Sequence, residues 1–220
     1  FRYDMFEPSL EQVKKQFLRV RKAAAEIGED GIQMYLGCEL HSSMDMTDCL
    51  KKGERLTMSG SRYVLTEFRT SDEKSYIRER VQALIRKGYY PIIAHVERYH
   101  SVVKNGLDFI DELRDMGAYI QMNADSIIGE DGFMIKRFCK KVIKEEMLDF
   151  VGSDGHDLAR RTPHIGKCYD KIEKMMGTDY ADMIFIHHAG MLPRYRRLVE
   201  QLADMIFISN PECIINNERF

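Results

Sequence analysis

Tyr90-Pro91-Ile92-Ile93-Ala94-His95-Val96-Glu97-Arg98-Tyr99 is the stretch from which the fold of this chain can be read. Pro91 to Ala94 is a short apolar run entered from Gly88, with the length of a strand buried on both faces. It then delivers His95, Glu97 and Arg98 in quick succession, and the carboxyl ends of strands in α/β proteins are where polar groups gather into sites. A lone histidine after an apolar run is more often a satisfied structural residue than a ligand. A second segment of the same design changes that balance: Asp149-Phe150-Val151-Gly152-Ser153-Asp154-Gly155-His156 closes on Asp-x-His, with Arg160 and Arg161 just beyond. Tyr63-Val64-Leu65-Thr66-Glu67-Phe68 and Met34-Tyr35-Leu36-Gly37-Cys38-Glu39 repeat the pattern. Four such strands predict Glu39, Glu67, His95, Asp154 and His156 at equivalent ends. Carboxylates and imidazoles in that number suit a hard or borderline metal ion, and the arginines suit an anion beside it.

Outward from these strands the chain alternates. Ser9-Leu10-Glu11-Gln12 is a capping-box pattern, and Val13, Phe17, Val20 and Ala24 carry helical spacing to about Ile27, with Gly28 and Gly31 closing the helix. The polar stretch Ser42 to Ser61 shows no period, and its Asp45, Asp48, Lys51 and Lys52 are read as a solvated surface. Lys74 to Lys87, Leu107 to Met116 and Phe133 to Met147 are predicted helices, and Ala118 to Met122 a strand. Further helices are predicted over Ile165 to Met176 and near Tyr180 to Phe185. Asn123, at a strand end, is a further polar candidate, and Gln121 is expected on the opposite face as a structural residue. Strands alternating with helices at this rate predict βαβ units and a parallel sheet, open or closed into a barrel.

A chain of 220 residues, 44% hydrophobic and 31% charged, is long enough for one domain with a sizeable core. Its formal charge of −2 offers no electrostatic basis for binding nucleic acid or a membrane surface. The five cysteines, Cys38, Cys49, Cys139, Cys168 and Cys213, are scattered and include no CxxC pair, which predicts reduced thiols and a cytoplasmic protein. No apolar run reaches membrane-spanning length, so no membrane insertion is expected.

Metal ions held by these groups can activate a water and neutralise charge on a phosphoryl oxygen, and arginine clamps phosphate through two parallel hydrogen bonds. Residue type alone leaves phosphoester hydrolysis and other metal-assisted hydrolysis both open. The strings narrow it. Ile93-Ala94-His95-Val96-Glu97-Arg98-Tyr99 and Ser153-Asp154-Gly155-His156, followed by Arg161-Thr162-Pro163, resemble the PHP (polymerase and histidinol phosphatase) superfamily. Within it, the resemblance is to the bacterial manganese-dependent protein-tyrosine phosphatases that accompany capsule and exopolysaccharide tyrosine kinases. It covers roughly Met5 to Ala181 and includes Met5-Phe6-Glu7, Gly37-Cys38-Glu39, Leu65-Thr66-Glu67-Phe68 and Ser126-Ile127-Ile128-Gly129.

The resemblance implies one domain over residues 1–220, a distorted (β/α)7 barrel with a site for up to three ions. These are Mn2+ first, with Fe or Zn2+ as alternatives. It implies Glu39, Glu67, His95, Asp154 and His156 as metal ligands, with Glu67 bridging ions. Independently, two strand ends finishing in such ligands predict that His95, Asp154 and His156 converge on one ion. By the resemblance, Arg98 and Arg161 would hold the phosphate. The implied reaction is in-line attack of a metal-activated water on phosphotyrosine in a protein substrate, a bacterial tyrosine kinase, with no cysteinyl intermediate. A homo-oligomer is compatible with it. Glu97 and His100 match no ligand position and are expected at the surface or behind the ligands, and His41 and His164 are read as structural or exposed.

Two features depart from the family pattern. The pattern opens with a strand bearing His-x-His, an aspartate and a later histidine, all upstream of the stretch matching Phe1-Arg2-Tyr3. The first βα unit is thus expected to be absent from the given chain, leaving weak metal binding and an unpaired sheet edge. In addition, Ala181-Asp182-Met183-Ile184-Phe185-Ile186 recurs as Ala203-Asp204-Met205-Ile206-Phe207-Ile208. Between the copies, residues 187–202 resemble a short segment of superfamily-two RNA helicases. Without a nucleotide-binding loop this cannot supply helicase activity, and 187–208 is read as an inserted or chimeric helical segment. Two rival functions accompany the main reading: a PHP phosphatase for a small phosphoester such as histidinol phosphate, and a non-catalytic phosphotyrosine-binding module.

Overall fold

Five parallel strands in the order β1-β2-β3-β4-β5 form one sheet in the computed structural model, which describes residues 2, 3, 5, 7–27, 34–156 and 161–187. Arg160, Cys213, Gly28, Gly31, Phe6 and the stretch from His188 onward lie outside the described residues. The strands are β1 (Glu39–His41), β2 (Tyr63–Glu67), β3 (Tyr90–Ile93), β4 (Tyr119–Asn123) and β5 (Phe150–Gly152). The helices between them are α2 (Met46–Lys51), α3 (Lys74–Arg86), α4 (His100–Asn105), α5 (Leu107–Asp115), α6 (Ala124–Ile128) and α7 (Phe133–Lys144). α1 (Leu10–Ala25) precedes the sheet, and α8 (Ile165–Met176) and α9 (Thr178–Asp182) follow it.

Alternation along each strand divides its side chains between two environments. Val64, Ile93, Ile120, Met122 and Val151 face the helices, where apolar faces of α3, α5, α7 and α8 complete the main core with Ile77, Val81, Phe109, Leu113, Cys139, Val142 and Ile172. The other face carries an aromatic layer, Tyr63, Tyr119 and Phe150, with Tyr90 packed against it. Its ring centroids are 5.0 Å apart for Tyr63 and Tyr90, 5.4 Å for Tyr63 and Tyr119 and 5.9 Å for Tyr119 and Phe150. This layer closes the sheet from below, so polar residues further along the same face stand at its carboxyl end.

The capping box forms as the sequence predicts: Ser9 Oγ accepts from Gln12 N at 3.2 Å and Gln12 Oε1 accepts from Ser9 N at 2.8 Å. The apolar stripe behind it is buried only at Ala24, with Val20 exposed. β1 is where expectation and structure differ most. The predicted strand over Met34 to Glu39 becomes a strand that begins at Glu39, because the ladder starts with Glu39 opposite Leu65. Upstream of Glu39 the ladder is not continued among the described residues, and Gly37 runs against Met58, whose Sδ would lie 2.6 Å from a Cβ there. The aperiodic stretch after Ser42 contains α2, which buries Met46, Cys49 and Leu50 while Asp48, Lys51 and Lys52 stay exposed. Among the described residues no helix is long and apolar enough to cross a membrane.

Candidate metal centre

His95 leaves β3 in a left-handed conformation, with φ 34° and ψ 52°, one residue before the short turn Val96–Arg98. A non-glycine residue there carries backbone strain that its surroundings must hold. They do so through its peptide N–H, which donates to Gln121 Oε1 at 2.5 Å, and through its ring. Nδ1 lies 3.3 Å from Tyr99 Oη. That hydroxyl gives its single proton to Ala94 O at 2.7 Å and accepts from Phe68 N at 3.1 Å. The Tyr99 proton is committed, so Nδ1 must donate and Nε2 is the ring nitrogen turned toward the cavity.

Two carboxylates meet that nitrogen. Glu39 Oε1 is 3.1 Å and Glu67 Oε2 3.6 Å from His95 Nε2. Ligand atoms of Glu39, Glu67 and His95 all lie within 4.8 Å of one another, the spacing of groups that can share one cation. Burial would pull the imidazole pKa down, but hydrogen bonds to Glu39 and Glu67 more than reverse this and push it up to about 9. The same contact with His95 holds the Glu67 carboxyl below its usual range. A protonated His95 is thus the positive charge that two converging carboxylates require, a role an ion would take over with Nε2 as ligand. Two carboxylates and one imidazole fit Mn2+, Fe or Zn2+ by donor type.

Asp154 forms the second focus, also with a left-handed backbone at φ 50°. Its Oδ2 accepts from Arg98 Nη1 at 2.7 Å, from Asn123 Nδ2 at 3.0 Å and from Arg161 Nη2. Both arginines assigned to phosphate therefore rest on a carboxylate assigned to metal. His156 is exposed, with Nδ1 2.8 Å from Asp154 O and its N–H donated to Arg161 O at 2.9 Å. Glu39, His95, Asp154 and His156 line one cavity of about 280 Å3, over a floor of Met58, Leu65, Ile92 and Phe150.

A layer of amides joins the two foci. Gln121 Nε2 donates to Asn123 Oδ1 at 3.1 Å, and both residues line the cavity. This corrects the placement of Gln121 on the opposite face, since residues two apart on a strand share a face. Gly152 is required beside it, because a Cβ there would collide with the Gln121 amide. Glu97 is not at the surface: it is 1% exposed, and Oε1 accepts from Asn123 N at 3.0 Å. Among the described residues its Oε2 makes no hydrogen bond, and burial pushes its carboxyl pKa up. Nothing in sequence separates this glutamate from an exposed one; only the fold of the Val96–Arg98 turn directs it inward. His100 is exposed at the start of α4. His41 Nε2 is buried and has no hydrogen-bond partner among the described residues, and His164 pairs with Asp125.

Residues 1–194 match the family described as capsular polysaccharide synthesis, CpsB/CapC. The chain belongs to the CpsB/CapC family. Among curated relatives, the tyrosine-protein phosphatase CpsB of Streptococcus pneumoniae is 32% identical over 190 residues, covering 84% of this chain and 77% of that protein. The tyrosine-protein phosphatase YwqE of Bacillus subtilis is 26% identical over 194 residues, covering 86% and 76%. In fold, the chain matches a crystal structure from work on YwqE of Bacillus subtilis and CpsB of Streptococcus pneumoniae, described as metal-dependent tyrosine phosphatases. That match has a TM-score of 0.76 at 20% identity, over 100% of this chain and 78% of the other. Membership of the CpsB/CapC family agrees with the PHP resemblance read from the motifs, and the α/β fold with its parallel sheet agrees with the same structures.

Proposed function

We propose that this chain is a metal-dependent phosphatase acting on phosphotyrosine in proteins, with a tyrosine kinase of polysaccharide synthesis as substrate and the cytoplasm as its place of action. The observation that carries the reading is the pairing of two foci that meet at one cavity through Glu39, His95 and Asp154. Glu39, Glu67 and His95 have the donor set of a metal site, and Arg98 and Arg161 converge beside it on Asp154. Mn2+ is the ion we favour, with Asp154 and His156 completing a site for more than one ion. The five strands would belong to a PHP-type (β/α)7 barrel, and residues 1–220 to one domain with an insertion over 187–208.

When bound, the metal supplies an activated water and charge neutralisation at the phosphoryl group. The chain's own residues do the rest. Arg98 and Arg161 transfer from the single Asp154 oxygen to the phosphate dianion, where planar forks make two hydrogen bonds each. Gln121 and Asn123 keep the His95 peptide and Asp154 fixed while this happens. The floor of Met58, Leu65, Ile92 and Phe150 offers apolar area to an aromatic ring, which favours phosphotyrosine over a small polar phosphoester. Burial raises the thiol pKa of Cys49, Cys139 and Cys168, which disfavours those three as nucleophiles.

The test is phosphate release from a phosphotyrosine peptide, a phosphoserine peptide and histidinol phosphate, each with added Mn2+ and with a chelator. The expected result is turnover of the phosphotyrosine peptide that the chelator abolishes. Preferential hydrolysis of histidinol phosphate would replace the substrate assignment. Tight phosphotyrosine binding without turnover or metal would leave only a binding module.

A further inference from the structure

Apart from the groups that face the cavity, one polar chain runs from the end of β4 to the segment bearing Arg161. Asp125 lies in the first turn of α6, directly after Asn123, and its Oδ1 is 2.8 Å from His164 Nδ1. His164 precedes α8, and its Nε2 is 3.1 Å from Thr162 Oγ1. A carboxylate only accepts, so Nδ1 donates to Asp125, and in the neutral ring Nε2 accepts from the Thr162 hydroxyl. Both side chains are about three-quarters covered, at 27% and 23% exposure, so water competes weakly for these bonds.

The Arg161 backbone is therefore held from two sides. Its carbonyl accepts from His156 N at 2.9 Å, which ties it to the loop after β5. Its neighbour Thr162 ties it through His164 to α6. Lys171 Nζ donates to Ile128 O at 3.0 Å and gives α8 a second link to α6. α6 in turn follows Asn123, which donates to the same Asp154 oxygen that Arg161 engages. A long arginine side chain can reach many places, and only a fixed peptide restricts its fork to one.

We propose that Asp125 and His164, acting through Thr162, are positioning residues that set where the Arg161 guanidinium stands beside Asp154 and hence how tightly the site holds a phosphate group. The inference rests on the reading of Arg161 as a phosphate ligand and deepens it. Neither residue touches substrate; a displaced fork loses directional bonds, and placement errors of about 1 Å are costly.

The experiment measures binding of inorganic phosphate to the full chain by calorimetry, with and without Mn2+, together with bound metal and KM for a phosphotyrosine peptide. Variants are Asp125→Asn, His164→Ala, Thr162→Val and Arg161→Ala, plus each of the first three combined with Arg161→Ala. Asp125→Asn and His164→Ala should weaken phosphate binding and raise KM by about tenfold at unchanged metal content. Thr162→Val, which preserves volume and removes only the hydroxyl, should do so by less and gives an answer if His164→Ala does not fold. None should weaken phosphate binding further once Arg161 is alanine. A full effect persisting in the Arg161→Ala background, or unchanged phosphate affinity in the folded single variants, overturns the proposal. Unchanged phosphate affinity in Arg161→Ala itself overturns the clamp reading, and the positioning pair with it.

Discussion

Metal binding at Glu39, Glu67 and His95 should expel a proton, and the structure says which one and over what pH range. In the metal-free protein His95 is pushed up to about 9 by its two glutamate partners, whereas its ordinary value is 6.5. A metal needs the Nε2 lone pair, while Nδ1 keeps its proton on Tyr99 Oη in either state. Below pH 9 each ion bound there therefore displaces about one proton, and the apparent affinity rises roughly tenfold per pH unit. From pH 6.5 to 8.5 that amounts to about a hundredfold, or roughly 2.7 kcal/mol at 1.36 kcal/mol per unit. A histidine of ordinary pKa would instead leave the affinity flat over most of this range.

The assay is calorimetric titration of Mn2+ into chelator-treated protein at pH 6.5, 7.5 and 8.5, in buffers of different ionisation enthalpy, so that released protons are counted directly. His95→Gln should lose both the proton release and the slope. Equal affinity at pH 7.5 and 8.5, or undiminished proton release in His95→Gln, would refute the reasoning. The same shift has a consequence for folding. A folded pKa raised above the unfolded one gives stability that is complete below about pH 6.5 and is lost as pH rises through about 9. Denaturant unfolding of metal-free protein should show that loss, of order 3 kcal/mol.

Glu97 should behave with the same sign for a different reason: burial raises its carboxyl pKa, so its charging destabilises the fold as pH rises above the ordinary glutamate range. Glu97→Gln should gain stability relative to wild type between pH 5 and 8, by about 1–3 kcal/mol in urea unfolding, and parallel stability curves would contradict this. Arg98→Ala and Arg161→Ala should lower phosphotyrosine turnover by about tenfold or more with bound metal unchanged, and lysine at either position should restore only part, lacking the planar fork. Metal loss in these variants, measured by elemental analysis, would assign the arginines to the structure of the site instead.

The sequence by itself determined the order of elements and the strand ends at which chemistry gathers. Apolar runs bounded by glycine, helical spacing in Lys74 to Lys87 and the Ser9–Gln12 capping box are local patterns, and local physics reads them directly. His95, Asp154 and the arginines were legible for the same reason, as polar groups placed where a buried strand stops. Tertiary structure decided which of them meet. Glu39 and His95 are separated by 56 positions, and only the ladder that sets Glu39 opposite Leu65 brings its carboxylate to the imidazole. The ladder with β2 forms only from Glu39 onward, and packing of the Val96–Arg98 turn took Glu97 out of water. The arginines' rest on Asp154 joins residues of two separate loops. Such contacts depend on distances between strands and on which groups burial leaves without water, and neither is encoded in the spacing of residues along one segment.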